Sequence, residues 1–299
     1  MHITRSLTRR GVLLIAAGMA ASMTLASCTA SPLAAPKTVL VAGATGQTGR
    51  LIVSELLASG YAVRALVRDT AKGRQLLGDK VELVQGDVRD PATLTAAFAG
   101  TDAAISAIGA RGAKGLESPE AIDYQGVKNL VDAAAASRAQ QFVLVSSRSV
   151  TQPDNPLNKM FGNVLIWKLK GEDALRASGV PYTIVRPGGL GNAAGGDKDI
   201  VFEQGDTVSA QTTITRADVA RICVQALKYP EARNRTFEVG AGAGPPVTDW
   251  RAKFAALKPD CTNHPHWTSE ERAPGEIRAQ SWYQIASIEL SLRALLGHL

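Results

Sequence analysis

The chain has 299 residues, 45% of them hydrophobic, 20% charged and 5% aromatic, with a formal net charge of +6. This composition is that of an ordinary globular protein and excludes a disordered chain, a collagen-like repeat and a small disulfide scaffold, for which three cysteines are too few. Arg5, Arg9 and Arg10 are the only charges in residues 1–27, so the remainder carries three fewer, +3, scattered along its length, which is no argument for a nucleic-acid partner.

The amino terminus reads as an address. Residues 1–10 hold the positive charge and residues 11–27 are apolar or small, the order of a secretory signal. The run is shorter than the about 20 strongly apolar residues of a spanning helix. The adjacent Arg9 and Arg10 resemble a twin-arginine export signal, with Val12 and Leu14 where Phe and Lys are commonest. Leu25-Ala26-Ser27-Cys28 resembles a bacterial lipobox. That resemblance implies cleavage before Cys28, lipidation of its thiol, and an exported lipoprotein anchored on the periplasmic or extracytoplasmic side of a membrane. An organellar transit peptide is the alternative, because the segment contains arginine and no acid. Residues 28–37 then form the lipidated cysteine and a tether of small residues and prolines.

Downstream, strands and helices alternate. Residues 38–42 are a β-branched run and predict a buried strand, followed by glycines and a helix over 51–58. Further strands are predicted at 61–67, 81–85 and 103–107, a helix at 122–136, a strand at 142–145, a helix at 165–178 closed by Gly179, and a strand at 182–185. This spacing predicts an α/β fold over 38–245, a Rossmann-like, doubly wound parallel sheet covered on both faces. Beyond Gly240 the pattern weakens to a loop, a helix near 248–258 and another near 276–297. Residues 246–299 are expected to form a small C-terminal substrate lobe on the carboxyl end of the sheet.

The run Gly43-Ala44-Thr45-Gly46-Gln47-Thr48-Gly49 stands between the first strand and the first helix, the context a dinucleotide-binding loop requires. Gly43 allows the tight turn, Gly46 lets backbone approach a pyrophosphate, and Gly49 lets the helix pack close to the strand. Amides near Thr45, Gln47 and Thr48 then face the phosphates. At the end of the second strand a carboxylate selects NAD and an arginine the 2′-phosphate of NADP. Arg68 takes that place, with Asp69 one step later, Arg64 on the same face and Arg50 at the start of the helix. A guanidinium fork suits a phosphate, so NADP is expected, NAD being possible. Asp87 and Val88 after the third strand are expected at the adenine, and Ile108 and Gly109 after the fourth beside the middle of the cofactor.

Residues 43–50 (GATGQTGR), 63–69 (VRALVRD), 85–90 (QGDVRD), 143–159, 167–190 and 215–227 (TRADVARICVQAL) resemble the NmrA-like, NAD(P)-binding group of atypical short-chain dehydrogenases/reductases. The resemblance implies a serine and a Tyr-x-x-x-Lys pair for catalysis, in which Tyr donates the proton and Lys holds the nicotinamide ribose. Lys168 matches the lysine, Ser146 and Ser147 the serine region, and Arg186, Pro187 and Gly188 the loop that cups the nicotinamide. Val164 stands at the tyrosine position and cannot donate a proton. Tyr124 and Tyr182 are substitutes to consider, and a quinone could take its protons from water.

All four histidines, His2, His264, His266 and His298, lie outside the Rossmann region, which argues against a Ser-His-Asp hydrolase. Cys261, His264 and His266 lack a fourth ligand, so no metal is expected, and Cys223 reads as helix packing. The sequence thus points to an NADP(H)-dependent oxidoreductase acting on a quinone or small carbonyl acceptor. The alternative is a non-catalytic NADP(H)-binding sensor or scaffold. Either is expected as a monomer or homodimer, with Cys28 as its link to a membrane.

Overall fold

The computed structural model describes residues 36–206 and 213–260. The export signal, Cys28, the Cys261–His266 cluster and the helix expected at 276–297 lie outside the described residues.

The elements follow in chain order: β1 (Thr38–Ala42), α1 (Gln47–Ala58), β2 (Ala62–Val67), α2 (Thr70–Leu77), β3 (Glu82–Gln85), α3 (Pro91–Phe98) and β4 (Ala103–Ser106). A π-helical segment (Glu120–Gly126) runs into α4 (Val127–Ala136). Then come β5 (Gln141–Val145), α5 (Pro156–Met160), α6 (Val164–Ala177), β6 (Tyr182–Pro187), β7 (Gly189–Gly191) and β8 (Ile200–Glu203). The last are β9 (Thr213–Thr215), α7 (Arg216–Lys228), β10 (Arg235–Ala241) and α8 (Trp250–Ala255).

The main sheet has the order β3-β2-β1-β4-β5-β6-β10-β8. Its neighbours are parallel except β8, which runs antiparallel to β10. Because β1 pairs with both β2 and β4, the winding reverses there and opens a crevice at the carboxyl ends of those strands. The two-residue period of the strands splits the core into two layers. Val39 and Val41 pack with Ile52 and Leu56 of α1 and Val219, Ile222 and Cys223 of α7. Leu40, Phe142 and Leu144 pack with Leu94 and Phe98 of α3, Leu130 of α4 and Leu175 of α6. The expected Rossmann-like α/β fold is therefore present, with helices on both faces.

The structure adds to the sequence pattern and corrects it. Helix α1 begins at Gln47 rather than 51, because the last part of the glycine run is already helical. Helices α2 and α3 were not predicted; each starts on an aspartate, Asp69 or Asp90, whose side chain accepts a first-turn amide, and α3 has Pro91 at its first position. Strand β6 continues through Arg186 and Pro187. The described part of the tail runs away from the carboxyl end of the sheet. Phe254 of α8 packs on Phe202 and Phe237, with ring centroids 5.5 and 6.0 Å away. The chain then returns to the amino ends of β6 and β10, where Asp260 binds the Tyr182 hydroxyl (2.9 Å) and the Thr236 amide (3.0 Å).

Candidate functional site

After β1 the backbone turns at Gly43 with φ +78°, and a Cβ there would lie 2.6 Å from the Ala107 carbonyl oxygen. A Cβ on Gly49 would lie 2.0 Å from the Gly43 carbonyl oxygen, so the helix could not seat against its own turn. The amide of Gly46 closes the loop on that carbonyl at 2.9 Å. Helix α1 starts with no side-chain cap and no acid in its first turn. By contrast α2, α3, α5, α7 and α8 start on Asp69, Asp90, Asn155, Thr215 and Asp249, and Asn158 accepts the Leu165 amide of α6 at 2.9 Å. The first amides of α1, around Gln47 and Thr48, are thus left for an external acceptor at the positive end of the helix.

These amides open into a cleft of about 590 Å³ at the switch point of the sheet. Gly43, Thr45, Gly46, Gln47, Thr48, Arg68, Asp87, Val88, Ile108 and Gly109, read from sequence as cofactor residues, all line it. So do Leu190, from the segment after the sixth strand that the family resemblance pointed to, and Arg111, Glu117 and Arg216, which the sequence reading missed. Gly49 is outside the lining and acts through packing.

Arg68 is half exposed at the tip of β2, and its Nη1 donates to Glu117 Oε1 at 2.6 Å. Arg89 takes both oxygens of Asp87, at 2.9 Å (Nε–Oδ1) and 2.5 Å (Nη2–Oδ2), and lies 3.7 Å from Glu117. The Arg89 hydrogen bond holds the Asp87 carboxyl below the usual carboxylate range. Asp87 thus reaches the cleft with its charge already paired. Arg64 does not join Arg68. It sits lower on β2, donates to the Ala97 and Ala99 carbonyls at the end of α3, and pairs with Glu82 at 3.0 Å. Arg50 is exposed and lies outside the cleft lining, and Asp69 is spent as the cap of α2.

The residues matched to catalysis lie next along the sheet, beyond this lining. Lys168 Nζ pairs at 2.7 Å with Asp123, which the π-helical segment carries and which also accepts the Ala110 amide at 3.2 Å. Ser146 donates to Glu172 at 2.5 Å, and Ser147 to the Arg148 carbonyl at 3.0 Å. Val164 opens α6 and packs beside Val150, Leu165 and Leu169. The Tyr124 ring stacks on Trp167 at 5.9 Å. Tyr182 is no substitute acid. It lies at the amino end of β6, and burial together with the Asp260 carboxylate pushes its hydroxyl well above the usual range.

Arg186, matched to the nicotinamide loop, lies outside the cleft lining and inside a strand. It is 2% exposed and clamped between Glu172 (2.7 Å) and Glu238 (2.9 Å), inside the sheet. Pro187 ends the same strand, and the Gly188 amide bonds the Val239 carbonyl at 3.1 Å. Burial raises the Glu172 carboxyl, but Arg186 and Arg176 outweigh it and leave it below the usual range. Glu238 keeps a raised value because burial exceeds the help of Arg186. This cluster joins α6, β6 and β10 and holds the Ser146 hydroxyl from behind.

The glycine cradle, the uncapped start of α1 and the half-exposed Arg68 fit a dinucleotide phosphate, since a Cβ would fill that cradle and no side chain among the described residues answers those amides. Among the described residues no group of ligands for a metal ion occurs. A family model described as NAD(P)H-binding matches residues 43–230. Sanguinarine reductase of Eschscholzia californica is 38% identical over 262 residues, covering 74% of this chain and 96% of that protein. An uncharacterised chloroplastic protein of Arabidopsis thaliana is 36% identical over 247 residues, 74% of this chain and 76% of the relative. Among solved structures, a candidate NAD-dependent epimerase/dehydratase from Bacillus halodurans superposes with a TM-score of 0.63 at 30% identity, over 70% of this chain and 96% of its own. With the cradle, the sheet order and these matches in agreement, the chain belongs to the NAD(P)H-binding family of Rossmann-fold proteins.

Proposed function

We propose that the protein is an NADP(H)-dependent reductase that passes a hydride to a quinone or a small carbonyl acceptor. One observation carries this reading: the uncapped α1 terminus and the Arg68 guanidinium line one cleft, so that a diphosphate and a 2′-phosphate have separate cationic partners. The cofactor supplies the hydride when bound. The chain supplies the cradle through Gly43, Gly46 and the Gln47 and Thr48 amides, and selects the phosphorylated adenosine through Arg68. Lys168 would anchor the nicotinamide ribose, a role supported by its match to the family lysine and by the buried Asp123 that orients it.

The surface supports the acceptor class. Seven large apolar side chains stand exposed among the described residues: Leu51, Leu76, Leu116, Leu157, Met160, Phe161 and Leu190. Five of these sit on the segments after β4, β5 and β6, at the carboxyl end of the sheet. Such a rim suits an apolar, planar acceptor. With Val164 at the tyrosine position the protein offers no phenol there, and a quinone needs none because its reduced oxygens take protons from water. The related sanguinarine reductase supports reductase chemistry in this family.

A second reading, a non-catalytic NADP(H) sensor or scaffold, draws on Val164 and on Ser146, whose hydroxyl is committed to Glu172. The test is a fluorescence titration with NADPH followed by oxidation assays against a quinone panel. Turnover that drops at least tenfold in Lys168→Ala supports the reductase. Binding without consumption, unchanged in that variant, supports the module. For the amino-terminal segment, the chloroplastic relative supports the organellar alternative and the sequence at 25–28 supports lipidation and export.

A further inference from the structure

The motif Thr215-Arg216-Ala217-Asp218 opens α7. Thr215 and Asp218 cap the helix reciprocally: the Thr215 hydroxyl accepts the Asp218 amide at 3.0 Å and donates to its carboxylate at 2.7 Å. The other Asp218 oxygen takes the Gly196 amide (2.8 Å) and Arg221 (2.7 Å). The single acid of that turn is therefore fully used, and Arg216 gains no charge partner from it.

Arg216 is half-buried and lines the same cleft as the amides of Gln47 and Thr48. Its Nη1 donates to the Leu190 carbonyl (3.0 Å) and to Asn192 Oδ1 (2.7 Å), both neutral oxygens. Among the described residues no carboxylate pairs with it, and none accepts from its Nε or Nη2. A guanidinium carries five donors on a rigid fork, and here one nitrogen is pinned while no described residue accepts from the edge formed by the others. A cation partly withdrawn from water without a counter-charge is costly unless an anion completes it.

We infer that Arg216 is a diphosphate-binding residue: its open edge clasps the bridging phosphates that the α1 amides hold from the other end, while its pinned nitrogen fixes the Leu190–Asn192 segment to the bound dinucleotide. The inference rests on the dinucleotide reading and extends it, because it assigns the diphosphate, shared by NADPH and NADH, to α7 as well as α1.

The experiment titrates the full chain with NADPH, NADH and adenosine 2′-monophosphate, the last carrying the 2′-phosphate without a diphosphate. Arg216→Met is expected to weaken NADPH and NADH alike by about tenfold or more, to leave adenosine 2′-monophosphate unchanged, and to flatten the salt dependence of binding. Arg216→Lys is expected to recover part of the loss. Arg68→Ala should show the opposite selectivity, losing NADPH and adenosine 2′-monophosphate but not NADH. Asn192→Ala separates a charge role from a merely structural bolt, because it removes an Nη1 partner and keeps the cation. Equal weakening in Asn192→Ala overturns the inference, as does wild-type affinity in Arg216→Met or a matching loss of adenosine 2′-monophosphate. A wild-type protein that binds neither dinucleotide overturns the cofactor reading itself, and the role of Arg216 with it.

Discussion

Glu117 already pairs with Arg68, the charge proposed above to select NADP. Its carboxylate lies 2.6 Å from Arg68 and 3.7 Å from Arg89, in the wall of the cleft. On that proposal a 2′-phosphate competes with it for Arg68. Both partners are substantially exposed, 49% for the Arg68 side chain and 37% for Glu117, so the bridge is of the weak surface kind, about 0.2–1 kcal/mol. Breaking it subtracts that amount from NADPH binding. Glu117→Gln removes the competitor and is expected to tighten NADPH by up to about fivefold at low salt. The gain should shrink in high salt, where the screening length falls to about 3 Å at 1 M. NADH has no phosphate to exchange for the carboxylate, so its affinity should stay within about twofold of wild type. Fluorescence titrations of the two dinucleotides at two ionic strengths measure this. Weaker NADPH binding, or an equal gain for NADH, would refute the competition.

Other expectations follow from the same geometry. In Gly49→Ala the new methyl runs into the Gly43–Ala44 backbone, and urea unfolding should show a loss of about 3 kcal/mol together with loss of NADPH binding. Glu172→Gln leaves Arg186 and Arg176 short of a buried carboxylate and should cost about 3–5 kcal/mol near neutral pH. The Glu172 carboxyl is depressed in the fold, so its stabilisation is complete above its ordinary value of 4.5 and is lost as pH falls below it. Wild-type unfolding midpoints should therefore drop between about pH 5 and pH 3, and the variant should show a shallower drop. Labelled palmitate should enter the full chain expressed in a bacterial host and be absent in Cys28→Ala; an unlabelled wild type removes the lipoprotein reading.

The parts of the fold that local periodicity writes were legible. Strands β1 and β5 are short apolar runs buried on both faces, and the glycine run carries its own turn and helix start. Helices α2 and α3 were readable too, from Asp69 and from Asp90-Pro91, but each is only 8 residues long, too short for a periodic pattern to stand out. The errors at the site came from tertiary partners. Arg186 looked like a loop residue because a charge rarely sits inside a buried strand; Glu238, distant in sequence, completes its neutralisation. Arg64 and Arg68 share a face by period, yet four residues along a strand span about 13 Å, enough to carry Arg64 to the end of α3. Arg216 and Glu117 reach the cleft through segments whose paths the sequence does not spell out.

The wide turn at Glu120–Gly126 has a consequence for how the site tolerates change in length. A π segment holds one surplus residue in a helical ladder. Deleting one position between Asp123 and Val127 would let the ladder close in ordinary register, keep the flanking turns in phase, and shift Asp123 around and along the helix axis relative to α4. The carboxylate that Lys168 and the Ala110 amide share would leave both. The surplus residue is thus a spacer that sets where this carboxylate stands, and an evolutionary loss at this spot would unhook the lysine while every strand of the sheet kept its place.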